Sequence, residues 1–350
     1  MSALNLIRPD LLDIQPYVPT GDELNYRLHA NELPWSAASL NNVSLNHYPN
    51  SRDLQPLQML LTEYFQVNSE NMVITRGSDD GIDLIMRVFL RAGVDSILQC
   101  PPTFPMYSFY ARLQQASVIN CPLEIDNNFY LSPEKLLSAW QENCKLIMLC
   151  RPNNPTGNFI ELTTIEQLCD YFTNKAVIVV DEAYIDFAKG ESATTLLSSF
   201  DNLIILRTLS KAYGLAGLRL GAVIAQPQVI NALRNAMPPY TLSSAVLSLA
   251  KNALANKEWF SARIQQILNA RAKLIEQLQQ LNWIETIYPS NANFLLVKSP
   301  YAQSIAQWLA KHDIAIRHFS LPPLEHMMRI TVGDEQQNQR LLTALNSFKP

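Results

Sequence analysis

From residue 71 the chain alternates two textures. Short apolar runs, NMVIT (71–75), DSILQC (95–100), KLIMLC (145–150), AVIVV (176–180) and NLIILRT (202–208), are separated by longer stretches with apolar residues at helical spacing. SDDGIDLIMRVFLRA (78–92) and LTTIEQLCDYFTN (162–174) are two of these stretches, a further helix is expected to begin near Phe104, and LRLGAVIA (218–225) reads as another strand. Continuously apolar strands between amphipathic crossovers predict a largely parallel sheet covered on both faces. After MPPY (237–240) the texture changes. Two helical stretches, 242–256 and 258–281, precede short strand candidates WIETIY, NFLLVK, IAIRHF and MMRITV, with a helix near 302–311 and a last one from about 335. The pattern divides the chain into a large α/β domain, residues 46–240, and a smaller α+β domain, residues 241–350. Residues 1–45, rich in Pro and Asn, are expected to run across the surface as an arm and join the small domain.

Charge and composition narrow the partners. A net charge of -4 over 350 residues gives no electrostatic reason to expect nucleic acid or an anionic membrane, so the expected ligand is small. MSALNLIRPD carries no basic stretch leading into an apolar segment, and no apolar run approaches the roughly 20 residues of a membrane span, so a cytoplasmic protein is expected. Five cysteines (100, 121, 144, 150 and 169) form no CxxC pair and read as buried thiols rather than a disulfide framework. The five histidines lack ligand spacing, and no metal is expected.

Chemistry-bearing residues collect where the apolar runs end, which is where open α/β sheets bind ligands. In TLSKAYGLAGLRLG (208–221), Lys211 stands among small residues after a buried run. Desolvation there favours the neutral amine, a nucleophile toward carbonyls, so Lys211 is a candidate Schiff-base lysine; the plainer reading is a surface lysine at a turn. In VIVVDEAYIDF (177–187), four apolar residues place Asp181 at a strand end, with Tyr184 three residues on. Four hydrophobics followed by Asp-Glu also fit an ATPase segment, but that reading needs a GxxxxGK[ST] loop and the chain has none. RPNNPTGNFI (151–160) makes a tight turn in which Asn154 can offer its amide. An amide turn, an acid at a strand end and a lysine 30 residues after it suit pyridoxal phosphate. That cofactor needs a lysine for its aldehyde, an acid to keep its pyridine nitrogen protonated, and donors for its phenolate oxygen.

With LHANELPW, LNHYPN, TRGSDDGIDLIMR, CPPTFPMYS, RPNNPTG, VVDEAY, TLSKAYGLAGLRLG and MRITVG, the sequence resembles the fold-type I pyridoxal-phosphate aminotransferases over essentially its whole length. Within them it is most similar to the histidinol-phosphate aminotransferase family. The resemblance implies an α/β fold, with a mostly parallel seven-stranded sheet in the large cofactor domain and a smaller α+β domain. It implies that Lys211 bonds the cofactor and later moves the proton, that Asp181 pairs with the pyridinium, and that Asn154 and Tyr184 contact the phenolate oxygen. Ser78 and Asp79, at a predicted helix start, would hold the phosphate with Ser210 and Arg219. Phe104 stands where the family's stacking ring does; many relatives carry tyrosine there, and Tyr107 is a candidate nearby polar substitute. Tyr48 would reach the cofactor phosphate of a second subunit, making a homodimer with a shared active site.

Arg329 and Arg317 lie on strand candidates, and two arginines suit a dianion better than one. By resemblance Arg329 would hold the carboxylate of glutamate and the phosphate of histidinol phosphate in turn, with Arg317 and Tyr17 assisting. The implied reaction converts histidinol phosphate and 2-oxoglutarate to imidazole acetol phosphate and glutamate, and the reverse, in L-histidine biosynthesis. An aromatic amino acid aminotransferase and a phosphothreonine decarboxylase of the same fold stand as alternatives. A non-enzymatic cofactor-binding regulator would need a DNA-reading domain, for which the pattern leaves no length.

Overall fold

The computed structural model of the protein describes residues 26–28, 31, 34–35, 51–238 and 240–350. In chain order its first elements are β1 (Tyr26–Arg27), α1 (Ser51–Phe65), β2 (Met72–Thr75), α2 (Ser78–Phe89), β3 (Ser96–Gln99), α3 (Met106–Leu113), β4 (Ser117–Asn120), α4 (Pro133–Ala139), β5 (Cys144–Cys150), α5 (Leu162–Tyr171), β6 (Val177–Asp181), β7 (Leu203–Thr208) and β8 (Gly221–Ile224). There follow α6 (Pro227–Ala236), α7 (Ser244–Leu254), α8 (Lys257–Leu278), β9 (Thr286–Ile287), β10 (Phe294–Lys298), α9 (Ala302–Lys311), β11 (Ile314–Ala315), β12 (Arg317–His318), β13 (Met327–Thr331) and α10 (Glu335–Asn346).

The main sheet has seven strands in the order β2-β8-β7-β6-β5-β3-β4. Every neighbouring pair is parallel except the two made by β8, which runs antiparallel to β2 and β7. Its central strands are apolar throughout because both faces are covered. Leu146 and Met148 pack on one side with Ile82, Ile85 and Tyr107, while Ile147 and Leu149 pack on the other with Leu168 and Phe172. Period-2 alternation therefore assigns a face to every residue, including those at the strand ends.

A four-stranded antiparallel sheet, β12-β13-β10-β9, forms the second layer system, with α9 against it and α10 packed on α8 and α9. The run IAIRHF, expected as one strand, divides at Ile316. Ile314–Ala315 pairs in parallel with β1, whereas Arg317–His318 joins β13. Leu28, just after β1, is tied to the same region, since its N–H donates to Ala315 O and its O accepts from Thr331 N. α3 begins at Met106 rather than at Phe104, leaving Phe104 in the preceding loop.

Elements beyond those read from the pattern include β1, α1, β4, α4 and α6. α1 carries Pro56 inside it, a residue that removes a backbone donor and ordinarily marks a break. β4 is a half-exposed edge strand with little apolar content, and α4 is only seven residues long.

Candidate active site

β5, β6 and β7 lie side by side and end together: Cys150 is in register with Asp181, and Asp181 with Leu206. The residues beyond these ends enclose a cavity of about 300 Å³. Ser78, Asp79, Phe104, Asn154, Asp181, Tyr184, Ser210, Lys211 and Arg219, all singled out by sequence, line it. Tyr48 and Tyr17 fall outside the described residues. Lys211 is half-buried in the turn after β7, its Nζ 6.0 Å from the centre of the Tyr184 ring.

One wall gathers groups suited to an anion. α2 starts at Ser78 with no side-chain cap, so first-turn N–H groups remain open toward a ligand. Arg219 takes left-handed backbone (φ +51°) and donates from Nη1 to Ser210 Oγ at 3.4 Å, while its Nη2 pairs with Asp79 Oδ2 at 3.3 Å. Two glycines permit this close assembly. A Cβ on Gly77, itself at φ +83°, would lie 2.7 Å from Arg219 Nη2, and one on Gly221 would lie 2.8 Å from Ser78 N. Any side chain at either position would push the helix start and the arginine apart.

A second wall is the carboxylate of Asp181, only 2% exposed. Oδ1 accepts from the Ala183 N–H at 3.1 Å, and Oδ2 accepts from the Tyr107 hydroxyl at 2.8 Å. Burial pushes this carboxyl up to about 6, against the opposing effect of those two donors. Tyr107 therefore does not stand in for a phenol at position 104. It lies fully buried beneath the cavity, with its hydroxyl committed to Asp181. The Phe104 ring meets it edge-on at 5.7 Å.

A third wall joins the two sheets. Tyr184 Oη accepts from Asn154 Nδ2 at 3.3 Å and from Asn31 Nδ2 at 3.2 Å. Burial holds that phenol above its ordinary range. Asn154 Oδ1 accepts from Arg329 Nη1 at 2.5 Å, and Asn31 Oδ1 accepts from Thr331 Oγ1 at 2.6 Å. Arg329 is thus wired to the cavity through an amide that lines it. Arg317 stands directly opposite Arg329 in the β12–β13 register, so both guanidinium groups rise on one face. Arg317 and Phe104 also line a larger groove of about 1000 Å³ between the loop before α3 and β12.

Sequence reasoning missed Asn31 and Thr208, which lie inside the motifs LHANELPW and TLSKAYG, and Cys150, the last residue of β5. It also missed what Tyr107 touches, since only the fold brings positions 74 residues apart together. All five cysteines are free and buried. Among the described residues no group of three or more His, Cys, Asp or Glu is placed to hold a metal ion, and no helix is long and apolar enough to cross a membrane.

The family model for aminotransferase class I and II matches residues 25–345. The chain is 51% identical over 349 residues to histidinol-phosphate aminotransferase 1 of Legionella pneumophila (strain Lens), covering 99% of this chain and 96% of that protein. It is 36% identical to histidinol-phosphate aminotransferase of Blochmanniella floridana, with 98% of each chain covered. Its fold is similar to the crystal structure of histidinol-phosphate aminotransferase from Sinorhizobium meliloti in complex with pyridoxal-5'-phosphate, with a TM-score of 0.83, 23% identity, and 96% and 95% of the two chains covered. With a sheet of this order, a lysine and an acid at adjoining strand ends, and a family match over nearly its whole length, the chain belongs to the class I and II aminotransferases.

Proposed function

We propose that this chain is a pyridoxal-phosphate-dependent histidinol-phosphate aminotransferase, interconverting histidinol phosphate plus 2-oxoglutarate and imidazole acetol phosphate plus glutamate in L-histidine biosynthesis. The observation that carries the reading is that Lys211, Asp181 and Arg219 line one cavity in a chain 51% identical, end to end, to a histidinol-phosphate aminotransferase.

The cavity fits the cofactor on three counts. Its volume lies at the lower end of the roughly 300–1,000 Å³ of small-molecule pockets. Asp181 is a desolvated carboxylate whose donors are a phenol and an amide, so a cationic ring nitrogen would complete its surroundings. The open first turn of α2, with Ser210 and Arg219, supplies N–H, hydroxyl and guanidinium donors for a phosphate.

When bound, pyridoxal phosphate supplies an aldehyde for amine exchange and a protonated ring that draws electrons from the substrate's α-carbon. Lys211 Nζ would hold the cofactor through that aldehyde and, when free, would carry the proton to and from that carbon. Asp181 holds the proton on the ring nitrogen. Asn154 and Tyr184 would hold the ring's phenolate oxygen, Phe104 would offer its ring for stacking, and the backbone N–H groups at Ser78 and Asp79 would join Ser210 and Arg219 in holding the phosphate. Arg329 and Arg317 bind the substrate's anion, assisted by Tyr17. Their direct opposition across β12 and β13 favours a group with two charges over one with a single charge.

The active unit is a cytoplasmic homodimer in which Tyr48 of one copy reaches the cofactor phosphate of the other. Residues 46–240 form its large domain, and residues 1–45 with 241–350 form the small one. The test is the visible spectrum of the loaded protein. Histidinol phosphate should convert the lysine-bound cofactor band to the pyridoxamine form at far lower concentration than phenylalanine. Conversion by phenylalanine at the lower concentration would move the substrate to aromatic amino acids.

A further inference from the structure

Asp181 has its partner on a different element. The Tyr107 hydroxyl, on α3, donates to Oδ2 at 2.8 Å, and the Tyr107 side chain is fully buried. Tyr107 does not line the cavity, so it acts on a ligand there only through the carboxylate. The phenol stays the donor. Burial first, and the neighbouring Asp181 charge second, hold it well above its ordinary range, so its proton is not lost to the acid. The other titratable groups around Asp181 include Cys150 of β5, Tyr184 beyond β6, Asp79 of α2 and Glu182 on its own strand end; burial holds the Cys150 thiol and the Tyr184 phenol up as well. None of these four is a cation.

We propose that Tyr107 is a positioning residue for the reaction: its hydroxyl orients Asp181 toward the cavity and favours the ionised carboxylate that a protonated ring nitrogen requires. The proposal rests on the function proposed above. A hydrogen bond from a neutral donor to a buried charge stabilises the charged form selectively. Without it Oδ2 would keep the burial and lose a donor, so the carboxyl would hold its own proton more tightly. The phenol also fixes the carboxylate plane, since Oδ1 is held on its far side by the Ala183 N–H.

The experiment compares wild-type protein with Tyr107→Phe, each also in an Asp181→Asn background. Equilibrium titration of apoprotein with pyridoxal phosphate and steady-state kinetics with histidinol phosphate are the two readouts. Tyr107→Phe should weaken cofactor binding about tenfold, equivalent to about 1.4 kcal/mol. It should also lower kcat by a similar factor with KM nearly unchanged. In the Asp181→Asn background the same change should alter cofactor affinity less than about twofold, because the acceptor charge is already gone. An equal loss in both backgrounds would mark Tyr107 as a packing residue and overturn the proposal, as would a Tyr107→Phe protein that binds and turns over like wild type. Where Tyr107→Phe does not fold, 3-fluorotyrosine at position 107 gives a stronger donor of nearly the same shape. It should tighten cofactor binding, and unchanged affinity would overturn the proposal. Failure of the wild-type protein itself to bind pyridoxal phosphate through Lys211 is a separate result, overturning the function on which the proposal rests.

Discussion

Asp181 and Glu182 are consecutive acids at the end of β6, both buried, and their surroundings could hardly differ more. Alternation along the strand sends them to opposite faces: Asp181 continues the side of Val177 and Val179, and Glu182 that of Ile178 and Val180. Glu182 is enclosed by donors and charge. Its Oε1 accepts from Arg151 Nη1 at 2.8 Å and from the Ala193 N–H at 2.7 Å, while Oε2 accepts from Ser192 Oγ at 2.5 Å and faces Arg207 Nη1 at 3.9 Å. Arg207 in turn holds Asp186 at 2.9 Å. Asp181 has a phenol and one amide, and it opens into a cavity. The fully compensated acid ties the turn after β5 to the segment after β6. The under-compensated one is left with attraction for a cationic ligand to satisfy, and for that reason it marks the site.

The largest effect that sharpens this contrast is expected at Asp181. Asp181→Asn should lower turnover on the order of a thousandfold, since the ring nitrogen would lose the charge proposed to keep it protonated. The apoprotein should nonetheless be at least as stable as wild type at pH 7 to 8 in urea unfolding. A clear loss of apoprotein stability would break the contrast. Glu182→Gln should behave in the opposite sense. Removing the charge leaves the Arg151 guanidinium, 0% exposed, without its anion and should destabilise the protein by about 3 kcal/mol, read as a lower urea midpoint. Protein that remains folded should bind pyridoxal phosphate within a few-fold of wild type.

A smaller, pH-dependent difference follows from the Asp181 carboxyl alone. Its folded value of about 6 stands above the ordinary 3.8. The folded apoprotein therefore binds that proton more tightly than the unfolded chain, and this contribution is fully present below about pH 4 and lost as pH rises through about 6. The loss amounts to about 3 kcal/mol at most. Because Asp181→Asn has no such proton, the stability of the variant relative to wild type should rise between about pH 4 and 7 and level off above. A difference that is flat with pH would contradict the assignment.

The same pair shows how far the sequence could be read. VIVVDEAY announces a buried strand with acids at its end, and alternation assigns each a face. Nothing local tells which acid meets two arginines and which a phenol, because Arg151, Tyr107 and Arg207 arrive from other strands and a helix. The cavity residues were legible where a motif joins a strand end to a turn, as in RPNNPTG and TLSKAYG. The opposition of Arg317 and Arg329 was not, since it depends on a strand register set by the break in IAIRHF at Ile316. α1 was hidden for a local reason, Pro56 within an otherwise helical stretch.

Everything proposed for this site depends on Lys211 holding the cofactor. Loading the protein with pyridoxal phosphate, reducing it with borohydride and mapping the peptides tests it most directly. One pyridoxyl-bearing peptide, containing Lys211, is expected, with no label in Lys211→Ala. Label on another lysine, or undiminished labelling of Lys211→Ala, would contradict it.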